Sequence, residues 1–101
     1  MNEQVEAVAR LWEAHLRAKF PARLRSAELD EMDMVMLDAD IAGCVSTWLR
    51  SRGNLDDQRR SVLTLCVADL ARVLPTLVGH HERMYYGRLH AMAVATLNMP
   101  Q

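Results

Sequence analysis

The chain of 101 residues is poor in the residues that cross-link or break a fold, with two cysteines, three prolines and four glycines. Two cysteines do not make a disulfide framework. Four scattered glycines do not form a Gly-rich phosphate-binding loop. The longest apolar stretch, residues 62–78, is interrupted by polar and charged side chains. A membrane span needs roughly 20 apolar residues, so we expect no membrane segment.

An excess of charge of either sign is also missing, since 12 basic and 13 acidic residues give a formal net charge of −1. A general nucleic-acid binder needs surplus Lys and Arg, and so does a polybasic membrane-surface protein. We therefore expect neither nucleic acid nor membrane as a partner. The N-terminal stretch MNEQVEAVAR does not resemble a secretory signal, which predicts a cytoplasmic protein.

Apolar residues make up half of the chain, and in four stretches they recur at steps of three and four. This spacing predicts amphipathic helices. The predicted helices cover about residues 2–20, 34–52, 55–78 and 81–97, with a frayed end at 98–101. Short connections between the last three favour antiparallel neighbours. The expected fold is an all-α, single-domain antiparallel four-helix bundle.

The ends of two helices depend on prolines. Pro21 should stop the first helix, whose apolar stripe continues through either His15 or Leu16 to Phe20. Pro75 removes a backbone donor, so it predicts a kink or an early end in the third helix. The segment 21–33 is expected to be a connection with at most a short helical turn.

The start of the second helix is left open between Asp30 and Asp38. Asp38 or Asp40 could cap it, and we favour Asp38 as an N-cap with a purely structural role. If the helix already runs through Asp38, its carboxylate is partly buried and needs a partner. Arg59, Arg60 or a tyrosine hydroxyl could then serve.

Adjacent or facing side chains allow two packing predictions. Cys44 and Cys66 lie on core stripes at similar heights of facing helices, without a clear basic neighbour, so we expect two buried, unreactive thiols. Tyr85 and Tyr86 are adjacent, so one of them should face outward or toward a partner.

Signatures of catalysis and metal binding are missing from the sequence. His80, His81 and Glu82 do not converge on one ion because neighbouring helical residues point about 100° apart. We interpret them as a polar helix start with surface histidines. No serine lies in a nucleophile elbow. We expect no metal, no cofactor and no enzymatic activity.

The acidic segment from Glu28 to Asp40 is the most distinctive charged feature, because it holds six of the thirteen acidic residues and no basic one. Complementary charge accelerates the encounter with a basic partner. We therefore predict a non-catalytic protein–protein interaction module of regulatory, adaptor or immunity type. Its predicted contact face consists of Asp30, Glu31, Asp33, Asp38 and Asp40. The Arg clusters are expected to pair with these acids.

The alternative is a homodimeric helical bundle that binds a small apolar ligand between its helices, where bundles place such sites. Six methionines beyond the initiator and several aromatic residues suit an adaptable apolar lining. Met34, Trp48, Tyr85 and Met92 are the predicted lining residues.

Two stretches, LDADIAGCVSTWL and YYGRLHAMA, resemble small helical proteins from high-GC bacteria of the actinobacterial type. Eleven arginines against one lysine fit such a genome. The resemblance extends over most of the chain. It implies an all-α fold and carries no activity, cofactor or site residue.

Overall fold

In the computed structural model the chain forms an all-α antiparallel four-helix bundle, as predicted. Residues 3–25, 28–29 and 32–98 are described, with residues 28 and 29 by their backbone alone. The four helices are α1 (Glu3–Arg17), α2 (Met34–Arg50), α3 (Asp57–Val73) and α4 (His80–Leu97). No helix in these ranges has the length and apolar character needed to cross a membrane.

The connection between α1 and α2 contains more structure than the sequence predicts. A 3-10 helix at Ala22–Leu24 is the expected short turn. Beyond it, strands β1 (Glu28–Leu29) and β2 (Met32–Asp33) pair antiparallel. Asp30 and Glu31 lie outside the described residues.

Helix α1 ends at Arg17, three residues earlier than predicted. Pro21 keeps the residue before it out of the helical region. Phe20 therefore leaves the helix, and its ring packs against Tyr85 and Tyr86 at centroid distances of 5.4 and 6.3 Å.

Helix α2 begins at Met34, so the interpretation of Asp38 as its N-cap is wrong. Asp33 is the cap, since its carboxylate accepts hydrogen bonds from the backbone N–H groups of Val35 and Met36 at 3.0 and 3.1 Å. This early start leaves Asp38 inside the helix, four residues after Met34, where it faces α1 and α4. Its carboxylate accepts a hydrogen bond from the hydroxyl of Tyr85, and a tyrosine hydroxyl was one of the predicted partners.

The remaining helix ends follow turn and proline chemistry. Helix α2 ends at Arg50, two residues early, because Arg52 (φ 59°) and Gly53 (φ 102°) adopt left-handed conformations. Asp56 caps α3 through the N–H of Arg59 at 2.9 Å. Pro75 ends α3 at Val73, which confirms the early end, and the 3-10 helix Leu74–Thr76 follows.

Helix α4 packs against all three other helices, as α2 also does. A helix with three neighbours buries a wider arc than a surface helix does. Tyr85 and Tyr86 are therefore both buried, and the prediction that one of them faces outward is wrong. The side chains with no exposure at all include Trp48, Tyr86, Leu24, Met34, Ile41, Leu63, Leu70, Leu89 and Met92.

Candidate functional site

A pocket of about 350 Å³ lies where α1 and α2 meet beside α4. Its lining comes from α1, α2, α4 and the connection after α1. The residues are Trp12, His15, Leu16, Phe20, Arg25, Val35, Asp38, Ala39, Ala42 and Tyr85. The small side chains of Ala39 and Ala42 on α2 leave the space that larger side chains would fill.

Aromatic rings form much of the pocket wall. His15 contacts Trp12 on one side and Tyr85 on the other, with centroid distances of 5.9 and 4.9 Å. The ring of Phe20 meets that of Tyr85 edge-on, at an interplanar angle of 75°. Rings in tilted and edge-on contact hold one another in fixed orientations. The wall is therefore a preformed aromatic surface.

Three polar side chains from three helices meet at the pocket. The hydroxyl of Tyr85 donates a hydrogen bond to Oδ2 of Asp38 at 2.6 Å. Nε2 of His15 lies 2.9 Å from Oδ1 of the same carboxylate. The side chains of His15 and Asp38 are only 7% and 15% exposed. We call His15, Asp38 and Tyr85 the polar triad.

The triad is incompletely hydrogen-bonded. Although Nε2 of His15 is close enough to Oδ1 of Asp38 for an ion pair, that oxygen is without an aligned hydrogen-bond donor among the described residues. Nδ1 of His15 is likewise buried without a protein partner there. A buried polar atom without a hydrogen bond destabilises the folded state unless a further donor or acceptor pairs with it.

Electrostatics keeps Tyr85 neutral at ordinary pH. Burial is the main cause that raises the pKa of its phenol, and the hydrogen bond to the Asp38 carboxylate raises it further. Tyr86, whose hydroxyl donates to the backbone carbonyl of Met34 at 2.8 Å, also has a pKa raised by burial. Both phenols therefore act as hydrogen-bond donors rather than as bases or nucleophiles.

A partly buried ion pair fixes the connection that forms one side of the pocket. The guanidinium of Arg23 contacts the Glu82 carboxylate twice, at 2.6 and 2.7 Å. Those hydrogen bonds are the main cause that holds the pKa of Glu82 below its usual range. Glu82 itself is buried, which the sequence did not predict. His80 and His81 are exposed as expected.

Arg25 stands at the rim of the pocket, two residues beyond this pair. Its Cζ lies 5.7 Å from the centroid of the Phe20 ring, a cation–π arrangement. The side chain is exposed and forms no ion pair with another described side chain. The predicted pairing with the acidic segment is thus not seen between Arg25 and its described side chains, Asp33, Asp38 and Asp40.

The acidic segment is spread over different surroundings. Asp33 caps α2, Asp38 belongs to the polar triad, and Asp40 is exposed beside a second pocket. Asp30 and Glu31 lie outside the described residues. A common docking face of these five acids remains a prediction.

The second pocket, of about 430 Å³, lies between α2 and α3. Its lining is mostly polar, and its two arginines have partners of their own, Arg59 with Asp56 and Arg50 with Thr47. Cys44 reaches it and donates to the backbone carbonyl of Arg59 at 3.6 Å. We therefore regard the aromatic pocket as the candidate site.

The cysteines are both buried and free. Burial raises the pKa of both thiols, to about 11 for Cys66. A thiol in that state is a poor nucleophile. The prediction of two buried thiols is confirmed.

The sequence identified only part of the candidate site. Of the four predicted ligand-lining residues, Tyr85 lines the pocket, whereas Met34, Trp48 and Met92 are completely buried in the core. The apolar stripe left His15 and Leu16 as alternatives, and the structure buries His15 while Leu16 stays 65% exposed. The early end of α1, which places Phe20 and Arg25 at the pocket, was not predicted.

Comparisons with protein-family models, with curated proteins and with solved structures find no match to this chain. Across the described ranges, no three His, Cys, Asp or Glu side chains are grouped so that they could hold a metal ion.

Proposed function

We propose that the protein is a non-catalytic binding protein whose aromatic pocket takes a small, largely apolar molecule. The observation that carries the proposal is the pocket of about 350 Å³ walled by Trp12, Phe20 and Tyr85. Ligand sites in helical bundles lie between the helices, as this one does.

The volume of the pocket suits a ligand with one or two fused rings. An apolar cavity of roughly 150 Å³ is sufficient for benzene, and ligand pockets begin at about 300 Å³. The small side chains of Ala39 and Ala42 give access to the aromatic wall from α2. Leu16 and Val35 at the rim are 65% and 40% exposed, so an entering molecule meets apolar surface first.

The chemistry of the lining supports binding rather than catalysis. The Tyr85 phenol has a raised pKa and donates a hydrogen bond to Asp38, which leaves it unsuited to attack a substrate. Among the described residues that line the pocket there is no serine, threonine or cysteine beside His15. A histidine without a nucleophile lacks the arrangement used in covalent catalysis.

Titration of the ¹⁵N-labelled chain with indole tests the proposal. Indole has nine non-hydrogen atoms, and at about 0.5 kcal/mol per atom its Kd is on the order of 1 mM. The expected result is saturable shift changes in the amide signals of His15, Ala39 and Ala42. Linear drift without saturation, or changes confined to other helices, would contradict the proposal.

Two leucine variants provide a matched control. Ala42→Leu places a larger side chain in the pocket and should weaken indole binding at least fivefold. Ala68→Leu makes the same change on the exposed face of α3, and it should bind indole like the wild type. Equal affinity in both variants would move the binding site away from the pocket.

The acidic docking face is the second candidate function. One observation favours it: Asp33, Met36 and Asp40 follow one face of α2, and all three are exposed. An apolar side chain flanked by acids suits a basic protein partner. A partner that binds at low salt and is lost in the Asp40→Lys variant would support it, and binding unchanged by this substitution would oppose it.

Homodimerisation is a separate question from ligand binding. Sedimentation equilibrium at chain concentrations from about 10 to about 500 µM distinguishes a monomer from a weak dimer. The pocket is formed within one chain, so we expect indole to bind with equal affinity at both ends of this range.

A further inference from the structure

We infer that the molecule held in the aromatic pocket is an aromatic carboxylate, with its ring in the pocket and its carboxylate on Arg25. This inference rests on the proposed function and adds the charge of the ligand. It is carried by the position of the Arg25 guanidinium, at the rim of the pocket and above the ring of Phe20.

The guanidinium of Arg25 is available and oriented. It has no ion pair with the described side chains, whereas Arg23, two residues earlier, is engaged by Glu82. Its Cζ is 5.7 Å from the centroid of the Phe20 ring, which restricts the side chain to a face of the pocket wall. A stacked guanidinium presents a planar set of donors that matches a carboxylate.

The acid inside the pocket does not oppose this assignment. The Asp38 carboxylate already receives the hydroxyl of Tyr85 at 2.6 Å and lies 2.9 Å from His15. The Asp38 side chain is only 15% exposed, so this carboxylate lies mostly inside the bundle. Among the described residues that line the pocket, Arg25 is the one arginine or lysine, and at its exposed position it attracts an anion and repels an ammonium group.

Three probes with one ring system test the charge preference. Indole-3-acetate and indole-3-acetamide have nearly the same shape and differ in charge, and tryptamine carries the opposite charge. Calorimetric titration of the full chain at pH 7 and low salt should give an acetate Kd about three- to tenfold below the acetamide Kd. Tryptamine should bind more weakly than both.

Two arginine variants locate the effect. Arg25→Gln should reduce the acetate-to-acetamide preference to about one, because the acetate then loses more affinity than the acetamide does. Arg10→Gln removes the same charge from an exposed position that lies about 200° around α1 from Trp12, so the preference should persist. Circular dichroism of each variant checks that the helices remain.

The outcomes separate the two proposals. If none of the three probes binds, the proposed function fails. If they bind without preference, or if tryptamine binds best, the pocket is retained and the assignment of a carboxylate is overturned. If Arg10→Gln lowers the acetate preference as much as Arg25→Gln does, the preference comes from the overall charge of the protein. That result also overturns the role of Arg25.

Discussion

The hydroxyl groups of Tyr85 and Tyr86 offer a sharp test of the polar triad, because the same deletion can be made at two adjacent residues. In Tyr85→Phe, Asp38 loses the donor that lies 2.6 Å from its Oδ2. In Tyr86→Phe, the backbone carbonyl of Met34 loses a donor at 2.8 Å. Both rings are at least 96% buried, so the two deleted hydroxyls differ mainly in their hydrogen-bond acceptors.

The expected magnitudes follow from the charge of the acceptor. A hydrogen bond to a charged group contributes about 1.5–3 kcal/mol to stability, and one between neutral groups contributes about 0.5–1.5 kcal/mol. We therefore expect Tyr85→Phe to lower the free energy of unfolding by about 2 kcal/mol and Tyr86→Phe by about 1 kcal/mol. For a domain of this size these losses lower Tm by roughly 10 °C and 5 °C.

Urea denaturation followed by circular dichroism measures both losses, with calorimetry as a second probe of Tm. The Asp38→Asn background completes a double-mutant cycle. Because the amide is a neutral acceptor, the cost of Tyr85→Phe should fall there to about 1 kcal/mol. A Tyr85→Phe loss below about 0.5 kcal/mol, or a larger loss in Tyr86→Phe, would refute the reasoning.

Three further predictions concern the α2 cap, the Arg23–Glu82 ion pair and the thiols. Asp33→Ala should lower the free energy of unfolding by about 1 kcal/mol in urea melts through loss of the α2 cap, and an unchanged midpoint would contradict that role. Since the pKa of Glu82 lies below its ordinary 4.5, its stabilisation is present above pH 4.5 and is lost as the pH falls through the folded-state pKa. Glu82→Gln should therefore be less stable than the wild type at pH 7 and approach it in acid, and a difference independent of pH would exclude this cause. With a pKa of about 11, only about one Cys66 thiol in a thousand is ionised at pH 8, so a disulfide reagent should label it after unfolding and not before.

The apolar spacing was sufficient to predict the fold because each helix buries one stripe of side chains. The stripe does not determine where a helix ends. Phe20 continues the apolar pattern of α1, but Pro21 releases it from the helix and its ring packs on Tyr85. The predicted helix of residues 34–52 begins where α2 does, but its cap was assigned wrongly, since Asp33 and Asp38 are equally good caps in sequence.

The polar triad was harder to predict from the sequence than the fold was. His15, Asp38 and Tyr85 come from three helices, and their meeting depends on the rotation of each helix about its axis. One signal was present, because Asp38 lies at the edge of the α2 stripe and needs a partner once the helix runs through it. The burial of both Tyr85 and Tyr86 depends on the three neighbours of α4, which the pattern of α4 alone does not specify.

The polar triad joins three helices, but it stabilises the bundle less than apolar packing would. Replacing a buried polar cluster by apolar side chains of similar size is often neutral or stabilising. Oδ1 of Asp38 and Nδ1 of His15 are buried without hydrogen-bond partners among the described residues, and a partly satisfied network is less stable than an apolar one. Both atoms belong to residues that line the aromatic pocket. At the pocket, these two atoms stand where polar groups of a bound ligand can complete their hydrogen bonds, which is how a small number of polar groups orients a ligand in an apolar site.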